Sequence, residues 1–184
     1  MSRYSWILIS YDVPITPSKN RVYVWRKLKE LGAEYLKQGA ALLPMSKANL
    51  QRAEVLAGKI RTMDGTACIA EMRFLDEEDE KRVVEAFKRR SANEFRELMI
   101  DIAKLYEAAS EDRTPVQQKV ISKRYGKVQS RDYFGTEEEL NLKNILAQMD
   151  FQDGLSGLIS DLKVGSKTIQ RKLMEFLREP PLGS

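Results

Sequence analysis

The feature that most constrains the fold is the order of apolar runs and amphipathic segments in the first 75 residues. Ser5 to Val13 is rich in β-branched and aromatic residues, and Pro14 follows it, so the run predicts a buried strand. The remaining pattern predicts, in order, a helix from a Thr16 N-cap to Gly32, extended runs over 33–37 and 40–45, a helix from Ser46 to Met63 and a strand over 66–75.

Strand, helix, strand, strand, helix, strand is the order of the ferredoxin-like, or split βαβ, arrangement. Two right-handed crossovers place both helices on one face of an antiparallel sheet. The opposite face then needs a cover, either from the rest of the chain or from a second copy. We therefore expect an α+β protein with a ferredoxin-like domain over residues 1–75.

The residues after this domain favour helices. The first five residues of the segment that begins at Asp76 are all glutamate or aspartate, as the positive end of a helix dipole prefers. Helical spacing predicts a long helix over 77–110, a polar linker over 111–115 and further helices over 116–178. The expected second region is thus mainly α-helical and covers residues 76–184.

The composition restricts location and chemistry. Of the 184 residues 32% are charged, and no apolar run approaches the length of a membrane span, so we expect a cytoplasmic protein without a membrane partner. The absence of histidine excludes histidine-based zinc sites and catalytic triads, which leaves carboxylates for any catalysis. The lone Cys68 and the two tryptophans, Trp6 and Trp25, have apolar neighbours and are interpreted as core residues.

Basic residues are concentrated in two clusters. Residues 114–135 hold 5 basic residues against 1 acidic residue, interleaved with tyrosines, and this pattern favours binding of DNA or of an oxyanion. Arginine suits a tetrahedral oxyanion because its planar donors fork onto two oxygens. Solvent-exposed helix faces without a binding role would also account for these basic residues. The candidate binding residues are Arg21 and Arg26 in the first cluster and Lys119, Lys123, Arg124, Lys127 and Arg131 in the second.

Two separate motifs resemble the N-terminal domain of the chromate resistance family ChrB. The first is Thr16 to Ala33 with Gly39 and Leu42-Leu43-Pro44, and the second is Arg131 to Gly135, which is similar to the family's RD-aromatic-FG segment. The resemblance covers residues 6 to about 163. It implies a chromate-responsive transcriptional regulator that binds promoter DNA. Full-length members of the family carry a second, C-terminal domain that these residues do not include.

A further resemblance concerns Tyr11-Asp12-Val13 at the end of the first strand. With Arg21 and a helix ending in Gly32, it is similar to the small ferredoxin-like nucleases of CRISPR adaptation. That resemblance implies that Asp12 of each subunit meets its mate across a dimer and holds a magnesium ion. Two carboxylates there could activate water for phosphodiester attack. Asp12 could instead cap the strand end or pair with Arg21.

The leading hypothesis is a homodimeric DNA-binding regulator, without a cofactor or enzymatic activity, that responds to chromate or a similar oxyanion. Two alternatives remain open. One is a magnesium-dependent nuclease that uses Asp12, and the other is a non-catalytic module that binds a protein partner through an exposed sheet face or helix stripe.

Overall fold

The computed structural model describes residues 3–107 and 115–147. The strands and helices confirm the predicted α+β class, with a four-stranded sheet followed by helices. In chain order they are β1 (Trp6–Asp12), α1 (Ser18–Leu31), β2 (Glu34–Lys37), β3 (Ala40–Pro44), α2 (Lys47–Arg61), β4 (Thr66–Met72), α3 (Glu77–Glu107), α4 (Pro115–Gln129) and α5 (Glu137–Ala147).

The sheet has the strand order β2-β3-β1-β4, and every neighbouring pair is antiparallel. β1 therefore lies between β3 and β4, the two strands that the α2 crossover connects, as the ferredoxin-like arrangement requires. Ile7 pairs with Leu43 of β3, and Ile9 pairs with Ile69 of β4. Ile7, Ile9 and Leu43 are fully buried, so one face of the central strands forms the core of the sheet.

Backbone conformation and side-chain caps explain where α1 and α2 begin and end, and they correct one predicted cap. Gly32 ends α1 with a φ of 67°, a left-handed conformation that glycine adopts without a steric cost. The Ser46 side chain accepts a hydrogen bond from the Asn49 amide at the start of α2. The predicted Thr16 N-cap is wrong, because Pro17 occupies that position and has no side-chain acceptor to offer.

Trp6 is the centre of the core in the first part of the chain. Its side chain is fully buried and lies 5.9 Å from the Phe74 ring and 5.8 Å from the Phe87 ring, between centroids. The buried Glu80 carboxylate accepts a hydrogen bond of 2.9 Å from the Trp6 indole nitrogen. The first part of α3 thus packs against β1, and the expected core position of Trp6 is confirmed.

Two other expected core residues lie at the surface, so those expectations were wrong. α1 buries Val24 and Leu28, one helical turn apart, whereas Trp25 points away from this stripe and is 51% exposed. Cys68 is exposed because it pairs in register with Ser10, and both face the less covered side of the sheet.

The chain divides into two compact units between residues 87 and 88, inside α3. Val83 and Phe87 of α3 are buried and belong to the unit that contains the sheet. The second unit has its own core, formed by residues of α3, α4 and α5 such as Phe95, Leu98 and Leu142. Residues 111–114 of the predicted 111–115 linker and the predicted helices beyond residue 147 lie outside the described residues, and Pro115 begins α4.

No helix in the described ranges, 3–107 and 115–147, is both long and apolar enough to cross a membrane.

Candidate functional site

A cleft of about 620 Å³ lies in the first unit, where β1 ends and α1 begins. Its volume falls within the range of roughly 300–1,000 Å³ that is typical of small-molecule sites. The loop between β1 and α1 and the β2–β3 turn form its sides. The polar and aromatic residues of its lining are Tyr11, Asp12, Ser18, Arg21, Trp25 and Gln38, and the aliphatic ones are Val13, Ile15 and Val22.

The cleft contains both residues that the sequence singled out near β1. Asp12 is the last residue of β1, and Arg21 lies in the first turn of α1. Both side chains are exposed, and within the described residues no ion pair joins Asp12 to Arg21. The fork of guanidinium donors and the carboxylate oxygens are therefore available to a ligand. Arg26 is also exposed on α1, but it does not line the cleft.

Tyr11 lines one wall of the cleft, and Tyr35 contacts that wall. The Tyr35 hydroxyl donates a weak hydrogen bond of 3.5 Å to the carbonyl of Trp25, and Tyr35 also interacts with Tyr11. Burial raises the pKa of Tyr11 above its ordinary value, while the hydrogen bond from Tyr35 and the Arg21 charge oppose that rise. Burial and the neighbouring Tyr11 raise the pKa of Tyr35 to about 12. Both hydroxyls are therefore neutral donors and acceptors at physiological pH.

The backbone holds this wall close to β1. Gly39 has a φ of +75°, and a Cβ atom there would lie 2.6 Å from the Tyr11 carbonyl oxygen. The Tyr11 amide donates a hydrogen bond of 2.7 Å to the Gly39 carbonyl. Only glycine permits so close an approach in this conformation, so the β2–β3 turn is locked beside the cleft.

One chain supplies a single carboxylate to this cleft, whereas the magnesium site that the nuclease resemblance implies combines Asp12 of two subunits. Asp12 is the single acidic residue of the lining, and Arg21 adds a positive charge to the same space. Mg²⁺ takes six oxygen ligands, usually with one or two carboxylates and several waters. Within the described residues there is also no group of three or more acidic or cysteine side chains that could hold a metal ion.

The second candidate surface lies on α4. This helix contains four basic residues and no acidic one. Lys123 and Lys127 are separated by one helical turn, and both side chains are exposed. Among the described residues neither lysine has an ion-pair partner. We call these two residues the α4 surface. Lys119 is one further turn away in the same helix, but its side chain lies outside the described residues.

The two arginines of the same cluster contact carboxylates of α3. Arg124 donates to Glu97 over 3.1 Å and to Asp101, and Arg131 donates to Glu94 over 2.6 Å. The Arg131 and Glu94 side chains are only 19% and 23% exposed, so this ion pair is partly shielded from solvent. The structure thus separates the predicted basic cluster into arginines that hold helices together and lysines that face solvent.

The turn between α4 and α5 contains the RD-aromatic-FG motif. Asp132 accepts hydrogen bonds from the Thr136 amide and hydroxyl, at 2.9 and 3.1 Å. The Thr136 hydroxyl in turn accepts a hydrogen bond of 3.3 Å from the Glu139 amide and thereby caps the start of α5. Gly135 has a φ of 67°, which fits a conformation that glycine favours. Burial raises the pKa of Asp132 despite its hydrogen bonds from Thr136 and Ser91. The observed contacts of this motif organise the second unit.

Sequence reasoning missed three features of these sites. The indole of Trp25 borders the cleft, and the Lys29 ammonium lies 5.4 Å from its ring centroid. The contacts from Tyr35 to the cleft wall and from Glu94 to Arg131 also went unnoticed. The spacing of Trp25 relative to the Val24 and Leu28 stripe could have revealed its exposure. The other two depend on contacts between elements that are distant in sequence.

Comparison with known proteins agrees with the two motifs found in the sequence. Residues 21–152 match the family described as Protein ChrB, N-terminal. Protein ChrB of Cupriavidus metallidurans is 25% identical over 160 residues, which are 85% of this chain and 48% of that protein. The chain therefore spans about half the length of this curated relative. No solved structure matches the chain. Because the family match extends from α1 through α5, the chain belongs to the ChrB N-terminal family.

Proposed function

We propose that this protein is a DNA-binding regulator of chromate resistance that holds the phosphate backbone through the α4 surface. The observation that carries the proposal is the separation of charges on α4. Arg124 of α4, and Arg131 just after it, are occupied by α3 carboxylates, whereas Lys123 and Lys127 are exposed without a carboxylate partner in the described chain. Two such lysines one turn apart suit contacts with successive phosphates.

The arginine ion pairs support this arrangement in a second way. Glu94, Glu97 and Asp101 neutralise Arg124 and Arg131, so the remaining positive charge of α4 is concentrated on its lysines. A rigid helix that displays lysines loses less side-chain and backbone entropy on binding than a flexible basic segment does. Lysine contacts recognise the backbone rather than base edges, so sequence preference must come from other residues.

Family membership supports the link to chromate, which the resemblance of the two sequence motifs implies. Chromate is a tetrahedral dianion, and we propose that it, or a similar oxyanion, changes the affinity of the protein for DNA. An effector changes DNA affinity only when it binds the free and DNA-bound states with different affinities. The effect of chromate on DNA binding is therefore the decisive measurement for this part of the proposal.

The test is fluorescence anisotropy with the promoter duplex of the protein's own operon and with an unrelated duplex, over a series of salt concentrations. The double variant Lys123→Gln/Lys127→Gln should weaken binding to both duplexes and should reduce the salt slope by about 2, one per phosphate contact. The matched control Lys47→Gln/Lys59→Gln removes two exposed lysines from α2 and should leave the slope unchanged.

Chromate is then added to the promoter complex, with sulfate as the control oxyanion. Regulation predicts a change in promoter affinity with chromate that sulfate does not reproduce. An unchanged salt slope in the α4 double variant would refute the assigned DNA surface. Equal binding of both duplexes without any chromate effect would refute regulation.

A further inference from the structure

The cleft beside α1 combines three chemical groups that do not satisfy one another. It presents a half-exposed indole from Trp25, a guanidinium from Arg21 and a carboxylate from Asp12. These groups lie in the first unit, whereas the α4 surface belongs to the second, and the proposed duplex contacts make no use of them. A site with a largely apolar surface and a few convergent polar groups is typical of ligand binding.

Trp25 determines which class of ligand fits. A tryptophan with 51% of its surface exposed leaves a large flat aromatic area in water, and covering that area with another flat ring is favourable. The Lys29 ammonium lies over one face of the ring, 5.4 Å from its centroid, so it places a positive charge at this platform and leaves the opposite face for a ligand. Aromatic platforms with basic neighbours stack the bases of unpaired nucleotides in many single-strand binding proteins.

The two charged residues supply complementary contacts. Arg21 can fork onto two oxygens of a phosphate, and Asp12 can only accept hydrogen bonds while it is ionised. Base amino groups and sugar hydroxyls are the donors that such a carboxylate needs. A small dianion would satisfy Arg21 alone, would be repelled by Asp12 and would leave most of the 620 Å³ unused.

We infer that this cleft binds a nucleotide whose base is unpaired, with the base stacked on Trp25, the phosphate on Arg21 and a base or sugar donor on Asp12. The ligand is either a free nucleotide or one residue of a single strand, and both share this chemistry. Duplex DNA does not offer an unpaired base to the cleft, because its bases are paired and stacked on one another. This cleft would thus have a role separate from the contacts of the α4 surface with the DNA phosphate backbone.

The test uses the full chain and its two tryptophans. Stacking on Trp25 should quench its fluorescence, whereas the fully buried Trp6 should not respond. The probes are nucleoside 5′-monophosphates, a single-stranded tetranucleotide, a fully paired DNA duplex long enough to stay double-stranded, ribose 5-phosphate and inorganic phosphate. Quenching by the mononucleotides or by the single strand, without quenching by the other three probes, is the expected result. Stronger binding of the mononucleotides or of the tetranucleotide identifies the source of the ligand.

Variants measured by calorimetry separate stacking from phosphate contact. Trp25→Ala should bind the best probe about 5- to 100-fold more weakly, as expected for the loss of one base–aromatic stack. Trp25→Phe keeps a ring and should retain part of the affinity, but its remaining tryptophan signal should not change with ligand. Arg21→Gln should weaken binding, and the control Arg52→Gln, an exposed arginine of α2, should not.

Three results would overturn the inference. The first is equal affinity for ribose 5-phosphate and for the mononucleotides. The second is ligand quenching of tryptophan fluorescence that persists in Trp25→Phe. The third is an equal loss of ligand affinity in Arg21→Gln and Arg52→Gln. Because Trp25 is half exposed, its variants should keep the wild-type thermal transition, which circular dichroism verifies. The variant Lys123→Gln/Lys127→Gln should still bind mononucleotides, so failure of the α4 proposal is distinguishable from failure of this one.

Discussion

Replacing Glu80 by alanine should destabilise the first unit strongly. The Glu80 side chain is 5% exposed and accepts hydrogen bonds from the Trp6 indole at 2.9 Å and from the Arg3 and Tyr4 amides at 2.6 and 3.2 Å. Hydrogen bonds to a charged group contribute about 1.5–3 kcal/mol each. The Trp6 indole is fully buried and cannot turn to water, whereas Arg3 is exposed and Tyr4 is half-buried, so their amides can be hydrated.

We therefore count the indole contact at about 1.5–3 kcal/mol and each of the two amide contacts at about 0.5–1 kcal/mol, which amounts to about 2.5–5 kcal/mol. That is a large share of the roughly 5–15 kcal/mol by which most domains are stable. Urea denaturation followed by tryptophan fluorescence measures the loss. Glu80→Gln should fall between alanine and wild type, because its remaining carbonyl oxygen still accepts a hydrogen bond.

Glu78→Ala is the matched control, since Glu78 lies in the same turn of α3 but is exposed. It should cost less than about 1 kcal/mol, the usual contribution of an acidic residue to the helix dipole. If Glu80→Ala costs no more than Glu78→Ala, Glu80 does not anchor α3 to β1, and the reasoning is refuted.

Three further measurements test the structure. Gly39→Ala should cost about 1–3 kcal/mol in urea denaturation, because it places a Cβ against Tyr11 at positive φ, whereas Gly58→Ala in open space on α2 should stabilise by about 0.4–1 kcal/mol. The pKa of Asp132 is raised in the folded state, so wild-type stability should fall as pH rises from about 4 through the raised value, and Asp132→Asn should lack that fall. The pKa of Tyr35 is raised from an ordinary 10.0 to about 12, so the free energy of unfolding should fall as pH rises between these two values. Tyr35→Phe should reduce that fall. The same variant should lack the Tyr35 step, near pH 12, in an absorbance titration of tyrosinate. Equal pH profiles of wild type and either variant, or equal effects of the two glycine substitutions, would contradict the corresponding prediction.

Much of the fold could be predicted from local signals. Gly32 ends α1, Ser46 caps α2, and Gly39 makes the β2–β3 turn, each at the expected position. Such signals act within a few residues, so they are readable before any tertiary contact is known. The order of the elements then leaves few ways to build a four-stranded sheet, and the observed order β2-β3-β1-β4 is one of them.

The candidate sites were less accessible to sequence reasoning. Residue type was enough to select Asp12, Arg21 and the lysines of α4 as candidates. It did not reveal the role of each residue. Exposure of Trp25 depends on which stripe of α1 meets the sheet, and the same apolar composition permits more than one choice. The exposure of Cys68 similarly depends on the register of β4 against β1.

The sequence by itself determined the order of the elements, their caps and turns, and the presence of a basic helix without acidic residues. Tertiary structure alone decided which basic residues remain available, because Glu94, Glu97 and Asp101 of α3 come close to Arg124 and Arg131 only after the helices pack. Caps and periodicity arise from neighbours along the chain, whereas ion pairs and clefts arise from elements far apart in it. This difference explains why the fold could be predicted from the sequence. It also explains why the sequence did not show which basic residues form ion pairs and which stay exposed.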